Sequence, residues 1–466
     1  MAVDTDYLII GSGATGMAFA DTLLDESDAH ITIVDRHAKP GGHWNDAYSF
    51  VALHQPSAYY GVNSSELGSH RIDTHGPNAG FYEQASGPEI NAYFDKLMQQ
   101  KFLPSGRVSY LPMSDYLGDG PAQSVLSGTP THIQVRKKTV DTTFAGISVP
   151  ATHTPGFTVA EGVRCAIPNA LPQLWMPGPG RQMPQQFCVM GAGKTAMDAV
   201  VWLLRNGARP DSIQWVVPRD SWLQNRLHTQ PGMAFFNDSI GGEAEKMAAF
   251  AESKTMDEVF LKLEAMGQML RIDTTQMPTM FHYATISTGE LELLRSVTRV
   301  IRMGRVQSIE RGALVLARGR VEMDADTLYI DCTACAVPPR KPQPVFQKDR
   351  IVVQVVRMPL VTLSAAITAY LEVHGSDDAH KNQLCTPVPF PQNLAGYARA
   401  TLLSTMNQFQ WAQDKPLRQW MRHSRLDAFG KMVSEIDRED AQKQATLARL
   451  RTNTMAAMGN MAALMA

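Results

Sequence analysis

Two stretches of this chain share one pattern: a short apolar run, a glycine-rich break, then apolar positions recurring at helical spacing. In the first, residues 7–10 predict a strand, 14–24 a helix and 31–34 a second strand. In the second, residues 187–190, 194–205 and 213–217 repeat that order. Each stretch reads as a β-α-β unit, so the fold class expected is α/β with two doubly wound domains. Between them, the pattern predicts a helix over 90–100 and short strands over 107–111 and 132–135. Beyond the second unit it predicts helices over 244–252 and 256–266, then a strand meander over 300–330. The last hundred or so residues read as mainly helical and end in a Met/Ala-rich tail, expected to be a packing or frayed helix. Proline-rich stretches at 167–184 and 337–344 bracket the second unit and read as two crossings between domains. The layout expected is therefore nested: a first domain over 1–168, a second over 169–325, and a return to the first with a helical C-terminal region over 326–466.

The break in the first unit, "IIGSGATGMAF", sets Gly11, Gly13 and Gly16 in G-x-G-x-x-G between strand and helix. The three glycines suit a tight turn, a close approach of backbone to a diphosphate, and close helix–strand contact. The helix start, Ala14-Thr15-Gly16, offers free N–H groups and a partial positive charge to that diphosphate. Asp35 follows the second strand, where an acid accepts hydrogen bonds from a ribose. The second break, "VMGAGKTAMD", sets Gly191, Gly193 and Ala196 in the related G-x-G-x-x-A. Its Gly-Lys-Thr is not a P-loop, because Cys188 stands where that motif needs its first glycine. Lys194 and Thr195 add side-chain donors at the helix start, and Arg219 follows the second strand where a ribose 2′-phosphate would lie. NADPH is thus expected, with NADH possible if Asp220 faces the ribose instead.

The first motif and its continuation "DRHAKPGGHW" resemble the FAD-binding start of flavoproteins with two dinucleotide-binding domains, most of all the flavin-containing and Baeyer–Villiger type monooxygenases. The resemblance implies an NADPH domain nested in an FAD domain. It also implies that Gly41, Gly42 and Trp44 contact FAD and that Arg36 lies near the adenosine. The implied activity is transfer of hydride from NADPH to FAD and then insertion of one oxygen from O2 into a small organic substrate, through a C4a-peroxyflavin. One departure stands out: residues 146–186 lack the F-x-G-x-x-x-H-x-x-x-[YW] run of those monooxygenases, though His153 lies there. The alternatives are a flavin-dependent NAD(P)H oxidoreductase that reduces a disulfide, a quinone or O2 without oxygen insertion, and a non-catalytic FAD- and NADPH-binding protein.

Composition narrows the partners. At 466 residues with 44% hydrophobic content the chain is long enough for two or three cores, and a net charge of −2 offers nucleic acid or anionic membrane no general attraction. The most apolar long stretch, 351–373, is broken by Gln354, Arg357 and Pro359, so no membrane span is expected. Five cysteines without framework spacing, and a strand beginning too early for a signal peptide, fit the cytoplasm. No metal-ligand spacing is present, so the partners expected are a small-molecule substrate and O2. Catalytic candidates come from "FVALHQPSAYYGVNS", close behind the Gly-Gly-His-Trp element: His54 and Gln55, with Tyr59 and Tyr60. The stretch "IDCTACAV" holds Cys332 and Cys335 at redox-dithiol spacing. It is expected instead to be the strand that returns the chain to the FAD domain, because residues three apart on a strand face opposite sides.

Overall fold

A computed structural model describes residues 2–118, 121–176 and 183–465. Part of the first proline-rich crossing, 177–182, lies outside them. Among the described residues, the first parallel sheet runs Val108–Leu111, Ile31–Val34, Ala2–Ile10, Pro130–Asp141 and Arg350–Val352. Ala122–Ser124 and Ser114–Tyr116 extend it antiparallel. The second is also parallel and runs Arg299–Ile301, Ile213–Val216, Gln186–Met190, Thr327–Asp331 and Cys165–Ala166. Both sheets follow one plan. The glycine-motif strand is central, the next two strands step away on one side, and a later strand pairs on the other, which makes the switch point of a doubly wound sheet.

Each apolar run is short, β-rich and buried on both faces, as a strand covered by helices must be: Ile31–Val34 and Ile213–Val216 are buried throughout. The helix Ala14–Glu26 packs with Val361–His374 in a core that includes Ile9, Phe19, Ile33, Leu363 and Ile367. That second helix accounts for most of the apolar stretch 351–373. It is apolar nearly all round because it is buried nearly all round, and among the described residues no helix is long and apolar enough to cross a membrane. The second sheet has its own core of Val189, Val200, Leu203, Trp215 and Ile330. A third joins Trp222, Phe250, Phe260, Phe281 and Tyr397 to Ala457 and Met461, so the Met/Ala-rich tail is a packing helix, Ala441–Leu464.

One expectation about chain order is corrected. The strand Thr327–Asp331 does not return the chain to the first sheet; it pairs with Gln186–Met190 in the second, with Asp331 opposite Met190. The chain rejoins the first sheet only at Arg350–Val352, beside Pro130–Asp141.

Candidate active site

The strand Ala2–Ile10 delivers Gly11 in the left-handed region, φ +96°, where a side chain is strained. A Cβ on Gly16 would overlap the Gly11 carbonyl oxygen, so the third glycine permits helix and strand to touch. No side chain caps the helix Ala14–Glu26, which leaves its first-turn N–H groups for an anion. The Gly41–Gly42 turn crosses this loop: Gly41 N–H donates to Ser12 O at 2.9 Å, and a Cβ on Gly42 would stand 2.8 Å from Gly13 Cα. Two bare backbones therefore meet at one uncapped helix end, a donor set that suits the diphosphate of a dinucleotide.

Asp35 stands at the end of the neighbouring strand. Its Oδ2 accepts from Ser12 N–H at 2.6 Å and Ser12 Oγ–H at 2.8 Å, and its Oδ1 accepts from His37 N–H at 2.8 Å. The His37 ring bridges two carboxylates, Nδ1 2.9 Å from Asp35 Oδ1 and Nε2 2.8 Å from Asp46 Oδ2. Its hydrogen bond to Asp35, against the penalty of burial and with help from Asp46, raises its pKa to about 9, so both ring nitrogens donate at neutral pH. Asp35 is held below its ordinary pKa despite burial, by His37 and Ser12. Arg36 points outward and pairs with Asp115 at 3.3 Å.

The turn Gly42–Asn45 carries Trp44, whose Nε1–H donates to the buried Tyr60 hydroxyl at 2.9 Å. His43 and Trp44 are where this turn reaches a cleft of about 1580 Å³. His54, Gln55, Gly191, Gly193, Lys194, Thr195 and Arg219 also line that cleft, whereas Gly11, Gly13, Ala14, Thr15, Gly16, Asp35, Arg36, Gly41 and Gly42 stand behind it. The His54 and Gln55 side chains have no hydrogen-bond partner among the described residues, unlike Tyr59, whose hydroxyl donates to Thr229 O at 2.9 Å. Burial first, then the Lys194 and Arg226 cations, push the His54 pKa down to about 3. It is a neutral imidazole at working pH, fitted to exchange hydrogen bonds rather than to carry a charge.

The second glycine loop lies in the cleft wall. Gly191 has φ +129° and backs onto the Cys332 carbonyl, while nothing stands within 4 Å of where a Gly193 Cβ would be. No side chain caps the helix Lys194–Arg205. Lys194, read from the sequence as a donor to a diphosphate, lines the cleft but is ion-paired within the chain. Its Nζ is paired with Asp198 and with Glu290, the latter at 3.2 Å, and Glu290 also takes the fully buried Arg226. Arg226 further donates to Asn78 Oδ1 at 2.5 Å, to Thr285 O at 3.1 Å and to the His54 carbonyl at 3.4 Å. Burial opposes the charge on Glu290, but Lys194 and Arg226 hold its carboxyl far below the usual range. The Tyr48 hydroxyl reaches Asp198 Oδ2 at 2.7 Å from the loop behind Trp44. At the strand end, Asp220 is gripped by Arg302 at 2.9 and 3.1 Å, so it is occupied. Arg219 is exposed at the cleft with no ion pair among the described residues.

The cysteine stretch has a role in this geometry. Asp331 ends its strand and its Oδ1 accepts from Thr333 N–H and Oγ–H at 2.9 and 2.6 Å. Asp141 does the same for Thr143 at 2.9 and 2.8 Å, and pairs with Ile10 as Asp331 pairs with Met190. "VDTTFAGI" and "IDCTACAV" are thus equivalent elements, each backing a glycine loop, and the shared strand-Asp-x-Thr pattern was the signal that could have found them. Cys332 is buried behind Gly191 and Cys335 is exposed at the cleft; both are free thiols. Arg226 and Glu290 were missed because their partners come from distant segments, and His37 because nothing in its local pattern marks it as bridging the nearby Asp35 and Asp46.

Residues 9–83 match the model of the NAD(P)-binding Rossmann-like domain family. Among solved structures, cyclohexanone monooxygenase bound to cyclohexanone superposes with a TM-score of 0.50 at 11% identity, covering 89% of this chain and 98% of that one. The polycyclic ketone monooxygenase of the fungus Thermothelomyces thermophila superposes with a TM-score of 0.51 at 10% identity, covering 99% and 87%. The likeness to these two structures is one of fold, with two parallel, doubly wound sheets in one chain. The chain belongs to one family with uncharacterized proteins of Mycobacterium tuberculosis and Mycobacterium bovis, each 45% identical over 438 residues, or 93% of this chain and 79% of the relative.

Proposed function

We propose that this protein is an FAD- and NADPH-dependent monooxygenase of a small organic substrate. The observation that carries the reading is the pairing of two glycine loops, each opening an uncapped helix, with a cleft lined by Trp44, from the turn beside the first loop, and by the second loop itself. In this reading the first helix end holds the FAD diphosphate, with Gly41 and Gly42 closing over it, and the adenosine ribose lies at the strand end that Asp35 fixes through Ser12 and His37. The second helix end holds the NADPH diphosphate, and Arg219 takes the 2′-phosphate because Asp220 is committed to Arg302. Bound FAD supplies hydride acceptance and activation of O2. The chain's own residues bind, orient and exclude water. Burial, with help from Lys194 and Arg226, keeps His54 neutral beside the reacting centre, Gln55 offers an amide there, and Tyr59 and Tyr60 seal the wall behind them.

The test is a purified, aerobically prepared protein. The reading expects about one FAD per chain, bleaching of its yellow colour by NADPH without oxygen, and, on admission of 18O2 with methyl phenyl sulfide, a sulfoxide carrying the label. Quantitative hydrogen peroxide with no labelled sulfoxide would replace it with an oxidase; no bleaching would replace it with a nucleotide-binding protein.

A further inference from the structure

Beyond His54 and the second loop, the cleft continues into an arm walled by Met247, Phe390, Phe409 and Phe429. Tyr283 enters that arm from a local distortion. Between the pairs Trp222–Phe281 and Gln224–Thr285, one strand has a single residue and the other has three, so His282, Tyr283 and Ala284 bulge toward the cleft. Tyr283 adopts φ +56°, a left-handed conformation that costs a non-glycine residue about 1 kcal/mol or more and recurs at ligand sites. Its hydroxyl has no hydrogen-bond partner among the described residues. Neither has that of Tyr397, whose ring centre is 5.7 Å away.

Arg357 completes the set. It is half-buried in the cleft wall, its backbone N–H donates to Ser364 Oγ at 3.1 Å, and its guanidinium forms no hydrogen bond or ion pair among the described residues. Of the carboxylates near this arm, Glu243 pairs with Lys246, and Asp427, whose Oδ1 accepts from Gly430 N–H at 3.1 Å, feels the Arg357 charge without forming an ion pair with it. A half-buried planar fork of donors without a protein acceptor is free to take one from a ligand, and a carboxylate matches it bidentately.

We propose that Arg357, with the hydroxyls of Tyr283 and Tyr397, forms a carboxylate-binding subsite, so that the ligand of this cleft is an apolar, ring-bearing carboxylate. Calling that ligand the substrate rests on the monooxygenase reading; its binding does not. The phenylalanines and Met247 hold the apolar body, and the carboxylate anchors the far end, leaving the near end to face His54 and Gln55.

The experiment is calorimetric titration of the purified, cofactor-loaded protein with naphthalene-2-carboxylate and with its uncharged methyl ester. The carboxylate is expected to bind about tenfold more tightly than the ester. That preference should fall to within about twofold in Arg357→Met with ester affinity kept, and by about threefold in the Tyr283→Phe/Tyr397→Phe double variant, which also serves should Arg357→Met fail to fold. Equal affinity of the two probes for the wild-type protein, or a preference unchanged in the variants, would overturn the proposal. NADPH oxidation in the same preparation reads the other question separately. Selective binding without turnover upholds the subsite and sinks the monooxygenase reading; turnover without selectivity does the reverse.

Discussion

The two glycine loops are built alike and guarded differently. Each follows a central parallel strand, each opens an uncapped helix, and each is backed by an Asp-x-Thr strand end in the same register. The first is surrounded by hydrogen bonds among near neighbours in sequence: Ser12, Asp35, His37 and Asp46. The second rests on a buried ion cluster drawn from distant segments, in which Lys194, Asp198, Arg226 and Glu290 neutralise one another. Strand ends differ as well. Asp35 faces its glycine loop, whereas Asp220 is turned onto Arg302 and leaves Arg219 at the cleft. One backbone plan thus supports two electrostatic settings, an acid at one loop and a cation at the other, and the side chains after the second strand of each unit decide which.

The comparison can be broken first at the ion cluster, which the first loop lacks. Glu290→Gln leaves Lys194 and Arg226 buried without their shared counter-charge and should cost about 3–5 kcal/mol in urea unfolding; a loss below about 1 kcal/mol would mean the cluster is not structural. Next come the glycines. Gly191→Ala puts a methyl against the Cys332 carbonyl, a backbone atom, and should cost about 3 kcal/mol, whereas Gly11→Ala meets only the Thr142 and Thr143 side chains at 3.0 and 3.1 Å and should cost about 1–2 kcal/mol. Equal losses would show that the two turns are not set apart by what backs them.

The His37 bridge sharpens the other side. Its folded pKa is raised from 6.5 to about 9, so its contribution to stability is full below about 6.5 and is lost as pH rises through about 9. Melting curves of the wild type should fall in that window by on the order of 2 kcal/mol, and those of His37→Gln should not. A wild-type stability flat from neutral to pH 10 would sink the bridge. The smallest effect belongs to Arg219→Ala, which should lower the ratio of kcat/KM for NADPH over NADH by about tenfold; an unchanged ratio would move the 2′-phosphate contact elsewhere.

Much of this was legible in the chain. The glycine spacings lie within single β-α-β units, and short-range patterns are what periodicity reports, so both loops, their helices and the strands after them could be read directly. The C-terminal helices, with the segment from Thr229 to Tyr283, were readable as the part of the chain that shapes a pocket, but not which of their side chains line the cleft. The run leading into "IDCTACAV" was read correctly as a strand, but it ends at Asp331, so both cysteines lie beyond it, and it was assigned to the wrong sheet, because an apolar run states that a strand is buried without stating beside which neighbour. Lys194 looked like a phosphate ligand because helix starts favour such donors, but Glu290 lies 96 residues on and no local pattern announces the pair. No local pattern marked Arg357 or Tyr283 individually as a ligand contact.

By itself, then, the sequence determined the α/β class, the two nucleotide-type turns and the acid or cation that follows each, because strand, turn and helix preferences act over a few residues. Only the tertiary structure decided which of those groups remain free to meet a ligand. Asp220 and Lys194 are satisfied by partners brought in from other segments, while Arg219, His54, Gln55 and Arg357 are left facing the cleft. Whether a polar group is available depends on what lies within about 3–4 Å of it, and that is set by the packing of distant elements rather than by chain order.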